Sequence, residues 1–297
     1  PCAGGAVYSP AITDFIFMVR GVGHMFITGP EVVRVTTGEQ VTFDELGGAE
    51  VHGTRSGVAH FMSPNERDCY RDVRRLLSFL PSHSGERPPR RLTNDDPERA
   101  DNELQTIIPS SPNLPYDMRD VISRIVDNRE FIEVQPFFAP NIVVGFGRLN
   151  GHSVGVVGNQ PKVLAGAIDI DASVKSARFI RFCDAFGIPL ISFVDVPGYL
   201  PGTAQEYGGV IRHGAKLLYA YAEATLPNLT LITRYYSFFP SFVMSSNHLG
   251  ADLHLACPTS AFSFLFPFPA VPLLFTPSPS PPSSPTPYRT SLLSPSA

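Results

Sequence analysis

Two adjacent glycines, Gly4 and Gly5, offer the first chemistry in the chain. A glycine pair ahead of a helix can turn two backbone amides toward one oxygen, which is how a protein holds the negative charge of an enolate. The same pair suits any tight turn, because glycine takes positive φ at little cost. Asp195, in Asp195-Val-Pro-Gly198, closes an apolar run. That places it at the carboxyl end of a strand, where open α/β sheets bind ligands, although it would serve equally as a turn or cap acceptor. His213 has the titration range of a general base, but a packed helix histidine is the commoner arrangement. Arg87, Arg90 and Arg91, interleaved with two prolines, fit a phosphate patch less well than a solvated linker.

Other chemistries find no pattern to rest on. The sequence has no nucleotide-binding P-loop, dinucleotide glycine fingerprint, zinc spacing or nucleophile elbow. Its four cysteines, Cys2, Cys69, Cys183 and Cys257, lie far apart, as expected of reduced, buried thiols rather than a disulfide framework or a metal site. With 23 basic against 27 acidic residues, the charge balance gives no general attraction to nucleic acid or to an anionic membrane. No uncharged apolar stretch is long enough to span a bilayer. A hydrophobic fraction of 43% over 297 residues supports a folded soluble protein with one or two cores.

The elements that must position these groups follow from periodicity. Residues 1–80 mix short apolar runs at 15–19 and 25–27 with glycine clusters, the pattern of short strands and helix ends joined by tight turns. Residues 81–115 turn to Ser, Pro, Arg, Asp and Asn and read as a linker. Beyond it, 117–126 has helical spacing, and strands at 141–146 and 153–158 flank the turn Asn150-Gly151, a hairpin. Phe179, Phe182, Cys183 and Phe186 mark a helix over 173–186, with Asp171 or Ser173 as its cap and Gly187 and Pro189 as its stop. Residues 190–196 are a continuous apolar run, expected of a strand buried on both faces of a parallel sheet. Thr203 and Glu206 have capping-box spacing for a second helix, with Ile211, Ala215, Leu218 and Ala222 as its apolar stripe and Pro227 beyond its end. A further strand follows at 229–233, so the class is α/β.

The last segment differs. From Pro258 to Ala297 there are eleven of the chain's 30 prolines, and Arg289 is its only charged residue. Such a Pro/Ser-rich, low-complexity tail, taken as 260–297, is expected to form neither ladders nor helices. Phe262 to Phe275 would be a sticky surface if exposed. The tail is read as translated non-coding sequence, with a proline-rich interaction arm as the alternative.

A longer set of motifs carries a resemblance. Pro1-Cys-Ala-Gly-Gly-Ala-Val-Tyr-Ser-Pro10, Phe26-Ile-Thr-Gly-Pro30, Glu45-Leu-Gly-Gly-Ala49, Ser56-Gly-Val-Ala-His60, Gly158-Asn-Gln-Pro161, Arg178-Phe-Ile-Arg-Phe-Cys-Asp184, Phe193-Val-Asp-Val-Pro-Gly198, Leu200-Pro-Gly-Thr-Ala-Gln-Glu-Tyr-Gly-Gly209 and Arg212-His-Gly-Ala-Lys216 occur in order. Together they resemble the biotin-dependent acyl-CoA carboxyltransferase family, in particular the β subunits of propionyl-CoA carboxylases. The similarity runs to about Arg234, resumes at Val243 and ends near Thr259.

The resemblance implies parts of two successive crotonase-like domains, over 1–80 and a truncated 116–259. It also implies transfer of a carboxyl group from carboxybiotin to propionyl-CoA, giving methylmalonyl-CoA. Biotin would arrive on a separate α subunit, which also uses the ATP, and no metal is implied at the site. The implied assembly is a dimer that builds a β hexamer, in the mitochondrial matrix, with any transit peptide outside this chain. Gly4 and Gly5 align with an oxyanion pair for the thioester enolate, and Gly202, Thr203, Ala204, Gln205 and Glu206 with the loop on the biotin side. A second amide pair is expected where this chain has Phe239 and Pro240, and Pro has no amide hydrogen to give. A substrate-selecting position, acidic in propionyl-CoA carboxylases, aligns with Phe242. The chain therefore reads as an incomplete copy. Two alternatives are an assembly subunit that has lost catalysis and a crotonase-like hydratase or thioesterase, the latter disfavoured by the 202–206 loop.

Overall fold

The computed structural model describes residues 1–109, 111, 114–237, 243–258 and 260–263. The amino-terminal part begins with β1 (Cys2–Ala3), α1 (Tyr8–Ala11), β2 (Phe17–Val19) and β3 (Met25–Phe26). It continues through α2 (Pro30–Thr37), α3 (Phe43–Gly47), α4 (Ala49–Thr54), β4 (Phe61–Ser63) and α5 (Glu66–Leu77). Its strands form two small parallel pairs, β1 with β3 and β2 with β4. Local chemistry sets its helix ends. Pro30 opens α2, Gly38 closes it at φ 79, and Thr42 and Glu45 form a capping box at α3. Val7, Ile16, Met18, Met25, Ala49 and Ala59 make its own small core.

Among the described residues of 81–115 there is one short helix, α6 (Leu104–Ile107), and several are tied to the larger unit. The amide of Arg91 donates to Gly151 O at 2.9 Å, and Arg99 donates to the carbonyls of Arg124 and Val126.

The larger unit follows. After α7 (Met118–Ile125) come β5 (Ile132–Val134), β6 (Ile142–Leu149), β7 (His152–Asn159), α8 (Ile170–Ala185) and β8 (Leu190–Val196). Then come α9 (Thr203–Gly208), α10 (Val210–Glu223), β9 (Asn228–Ser237), β10 (Leu253–Ala256) and β11 (Ala261–Ser263). One sheet has the order β10-β9-β8-β7-β6-β5, and β11 pairs with the far end of β9. Strands β7, β8, β9 and β10 run parallel, while β5, β6 and β7 are antiparallel. The β6–β7 hairpin turns on Asn150 and Gly151, at φ 49 and 79, the left-handed pair that an Asn-Gly turn supplies.

Alternation along the strands divides the core in two. Ile142, Val144, Phe146, Leu190, Val194 and Val196 face α8 and α10, and Phe15, Phe17, Phe61 and Phe79 of the amino-terminal part pack there too. Val143, Val156, Ile191 and Phe193 face α7 on the other side. All seven residues of β8 are buried, as a continuous apolar run requires when helices cover both faces of a sheet.

Three local expectations are corrected. The cap of α8 is Asp169, whose carboxylate accepts from Ala172 N, so the helix starts earlier than its phenylalanine spacing shows. The second predicted helix is two helices with no capping box. Gly202, at φ 130 and ψ 155, is the cap, and its carbonyl takes the amides of Gln205 and Glu206, which places Thr203 already inside the first turn. Gly209, left-handed at φ 89, then resets the phase, and α10 buries Val210, Gly214, Leu217 and Tyr221 while Ile211 is 79% exposed. Finally, β11 forms inside the segment expected to carry no ladder. Residues 260–266 contain no proline, so the amides that pairing needs are present.

Candidate active site

Gly4 and Gly5 lie where β1 runs into a 3₁₀ turn, Gly4–Val7. Gly4 is left-handed, at φ 62, which accounts for glycine there. Its amide donates to Ile27 O at 3.0 Å and is therefore already used. Gly5 is exposed, and a Cβ added to it would meet nothing within 4 Å. The first amides of a 3₁₀ turn have no partner within the turn, so Gly5 and Ala6 are the two donors this turn leaves open. Neither donates to another described carbonyl.

The carboxyl ends of the parallel strands hold a buried polar cluster. At the end of β8, Asp195 is 2% exposed; it receives Arg234 Nε at 3.1 Å, and its own amide donates to Asn159 Oδ1 at 3.3 Å. Arg234, near the end of β9, also donates to Leu114 O at 2.7 Å and to Ser111 O at 3.3 Å, which fastens the linker over the strand ends. Its guanidinium carbon lies 5.1 Å from the ring centre of Tyr116, whose hydroxyl is 2.8 Å from Thr233 Oγ1. Burial, with the Asp195 charge beside it, holds the Tyr116 phenol far above its ordinary titration range. Asp195 thus spends its charge on an ion pair.

The 202–206 loop is tied to the segment ahead of α8. The amide of Leu200 donates to Ile168 O and that of Ile168 to Gly198 O, while Gln205 Oε1 accepts from Ile170 N at 3.1 Å. Gly202 occupies a backbone region that only glycine enters readily. Gly202, Thr203 and Ala204 are exposed, and Glu206 faces a small cavity of about 340 Å³ shared with Tyr199 and Val243. Gly4 and Gly5 line neither this cavity nor the larger one between α8 and α10. Phe239, Pro240 and Phe242 lie outside the described residues.

His213 sits between Lys216 Nζ, 3.3 Å from Nδ1, and Arg212 Nη2, 3.4 Å from Nε2. Its pKa is lowered, first by burial and then by the charges of Lys216 and Arg212, which makes it a poorer base than a free imidazole. Among the described residues, no three His, Cys, Asp or Glu side chains gather as a metal site would need. No helix among them is long and apolar enough to cross a membrane.

The sequence left several buried charges or bases unmarked, among them Arg234, His60 and Lys175. Lys175 is 2% exposed, and its ammonium donates to Phe138 O and Ile142 O at 2.8 Å, Gln135 O at 2.9 Å and Ala139 O at 3.3 Å. One signal was present, since Lys175 precedes Phe179 by four residues and so shares its apolar face.

Residues 1–278 match the carboxyl transferase domain family. The propionyl-CoA carboxylase carboxyltransferase subunit of Haloferax mediterranei is 59% identical over 275 residues, covering 93% of this chain and 53% of that protein. The methylmalonyl-CoA decarboxylase subunit alpha of Veillonella parvula is 57% identical, covering 93% of this chain and 54% of its own length. The crystal structure of transcarboxylase 12S, with hydrolysed methylmalonyl-coenzyme A bound, superposes with a TM-score of 0.90 at 48% identity, over 92% of this chain and 53% of that one. The chain spans about half the length of the curated relatives it matches.

Proposed function

This chain belongs to the carboxyl transferase domain family, and from that membership we propose that it is a piece of an acyl-CoA carboxyltransferase subunit of the propionyl-CoA carboxylase type. Its fold is crotonase-like, shared with transcarboxylase 12S. The observation that carries the proposal is the family match over residues 1–278, joined to the likeness to a structure that holds hydrolysed methylmalonyl-coenzyme A. The reaction proposed is carboxyl transfer between biotin and the α-carbon of propionyl-CoA, giving methylmalonyl-CoA.

What this chain's residues contribute is the thioester side. Removing the α-proton of an acyl thioester places negative charge on the thioester oxygen, and fixed amide dipoles stabilise that charge without reorganising. Gly5 and Ala6 are the donors proposed, since the amide of Gly4 is committed to Ile27. On the biotin side the donor set does not fit, because Pro240 carries no amide hydrogen.

The proposal extends to a biotin-carrying α subunit that uses the ATP, a dimer building a hexamer, and the mitochondrial matrix, all taken from the resemblance. It includes the division into 1–80, a linker at 81–115, 116–259 and a tail at 260–297. Pro240 favours a second reading, a subunit that assembles but does not catalyse.

Carboxyl transfer from free carboxybiotin to carbon-labelled propionyl-CoA tests both. The chain is compared with a version carrying Phe238→Gly, Phe239→Gly and Pro240→Ala. Activity gained only in the restored version supports the carboxyltransferase reading together with the lost amide pair. A folded chain inactive in both forms leaves the assembly reading, and activity in the unaltered chain shows that the second amide pair is dispensable.

A further inference from the structure

A cavity of about 860 Å³ lies between α8 and α10, with residues of the amino-terminal part on one side. Arg178 and Arg181 line it from α8, and Arg212 and Lys216 from α10. None of the four forms an ion pair with a described carboxylate. Arg178 donates one bond to Thr13 O at 2.7 Å, which fixes its direction without neutralising it. Lys175 also lines the cavity, but its ammonium is committed to carbonyls.

Two carboxylates share the cavity, Asp14 and Glu223, so four available cations face two anions. The imbalance belongs to this groove and not to the chain as a whole, whose net charge is -4. It would be matched by one doubly charged anion, and a phosphate monoester carries about −1.5 to −2 at neutral pH. Guanidinium groups on two facing helices suit such an oxyanion, which they can grip through paired N–H donors. Most of the remaining wall is apolar, with His60 and Gln135 among its lining. Phe15 and Phe182 meet edge to face at 4.7 Å, and Tyr219 stands 65% exposed at the rim, a surface for the organic part of an ester.

We propose that the groove between α8 and α10 binds a small phosphate ester, its phosphate held by Arg178, Arg181, Arg212 and Lys216 and its apolar body set against Phe15 and Tyr219. The proposal does not rest on the carboxyltransferase reading.

Titration calorimetry on the full chain, with inorganic phosphate and then phenyl phosphate as probes, tests it. The expected result is saturable binding of one anion per chain, weakening with added salt, with phenyl phosphate held more tightly than inorganic phosphate. Arg212→Gln with Lys216→Gln, and separately Arg178→Gln with Arg181→Gln, are each expected to weaken binding roughly tenfold or more. Arg34→Gln, on α2 and outside the cavity lining, is expected to leave it unchanged. Circular dichroism checks that the variants keep the fold. Absence of saturable binding to the unaltered chain, or equal binding by folded variants of all three kinds, overturns the proposal.

Discussion

Arg234 Nε lies 3.1 Å from Asp195 Oδ2, and the two side chains, 10% and 2% exposed, close the carboxyl ends of the paired strands β8 and β9. The same arginine holds the carbonyls of Ser111 and Leu114, so one guanidinium joins two strands and the linker.

Arg234→Met is expected to destabilise the fold by roughly 3–5 kcal/mol, because it strands a buried carboxylate, whereas Arg234→Met with Asp195→Asn is expected to cost less than the single change. Urea unfolding measures both. A loss below about 1 kcal/mol for the single variant would contradict the description of a buried, fully used pair.

Lys175→Met removes the ammonium from four carbonyls, of which Gln135 O and Ala139 O keep a backbone amide donor, and is expected to cost roughly 2–4 kcal/mol. Burial pushes the Lys175 ammonium down to about 7, below its ordinary value of 10.5. The unfolded chain therefore binds the extra proton between those values, and stability relative to Lys175→Met is expected to rise as pH increases from about 7 toward 10. Thermal unfolding of the two proteins across that range decides it, and a difference that shrinks with rising pH would contradict a depressed pKa for Lys175.

His60 Nδ1 accepts from Ile16 N at 3.1 Å, which needs the neutral ring. Burial, helped by the Arg178 charge, lowers its pKa from 6.5 to about 4. Its contribution is complete above pH 6.5 and is lost as pH falls toward 4, a change of about 3 kcal/mol. His60→Gln, which keeps an acceptor without the titration, is expected to flatten acid sensitivity in that window, as read by urea unfolding at pH values across it.

Gly151 combines φ 79 with a Cβ position 2.0 Å from Arg91 O. Gly151→Ala is expected to cost at least about 2 kcal/mol, through left-handed strain and displacement of the linker. Hydrogen exchange at the Arg91 amide, which donates to Gly151 O, reports whether the linker has moved.

Gly5 separates side chain from amide. Nothing lies within 4 Å of an added Cβ, so Gly5→Ala is expected to keep the activity measured in the restored background, while Gly5→Pro, which removes the donor, is expected to lower kcat about 10²- to 10³-fold. Equal activity of the two would remove Gly5 from the proposed oxyanion pair.

The sequence by itself determined the elements whose signals are local. The Asn150-Gly151 turn, the phenylalanine spacing of α8 and the apolar run of β8 each depend on neighbours within a few residues, and each was found where expected. The phase of α10 was missed because one left-handed glycine, Gly209, resets the count of residues per turn, and nothing in the spacing shows its φ. Tertiary structure alone decided where the buried polar groups went. Lys175 finds its carbonyls 33 to 40 residues earlier in the chain, Arg234 and Asp195 are 39 apart, and the amide of Gly4 is taken by Ile27 across a strand pair. Helix and strand patterns arise from backbone geometry that repeats every few residues. A buried charge is held only when distant segments converge on it, and that convergence leaves no period in the sequence.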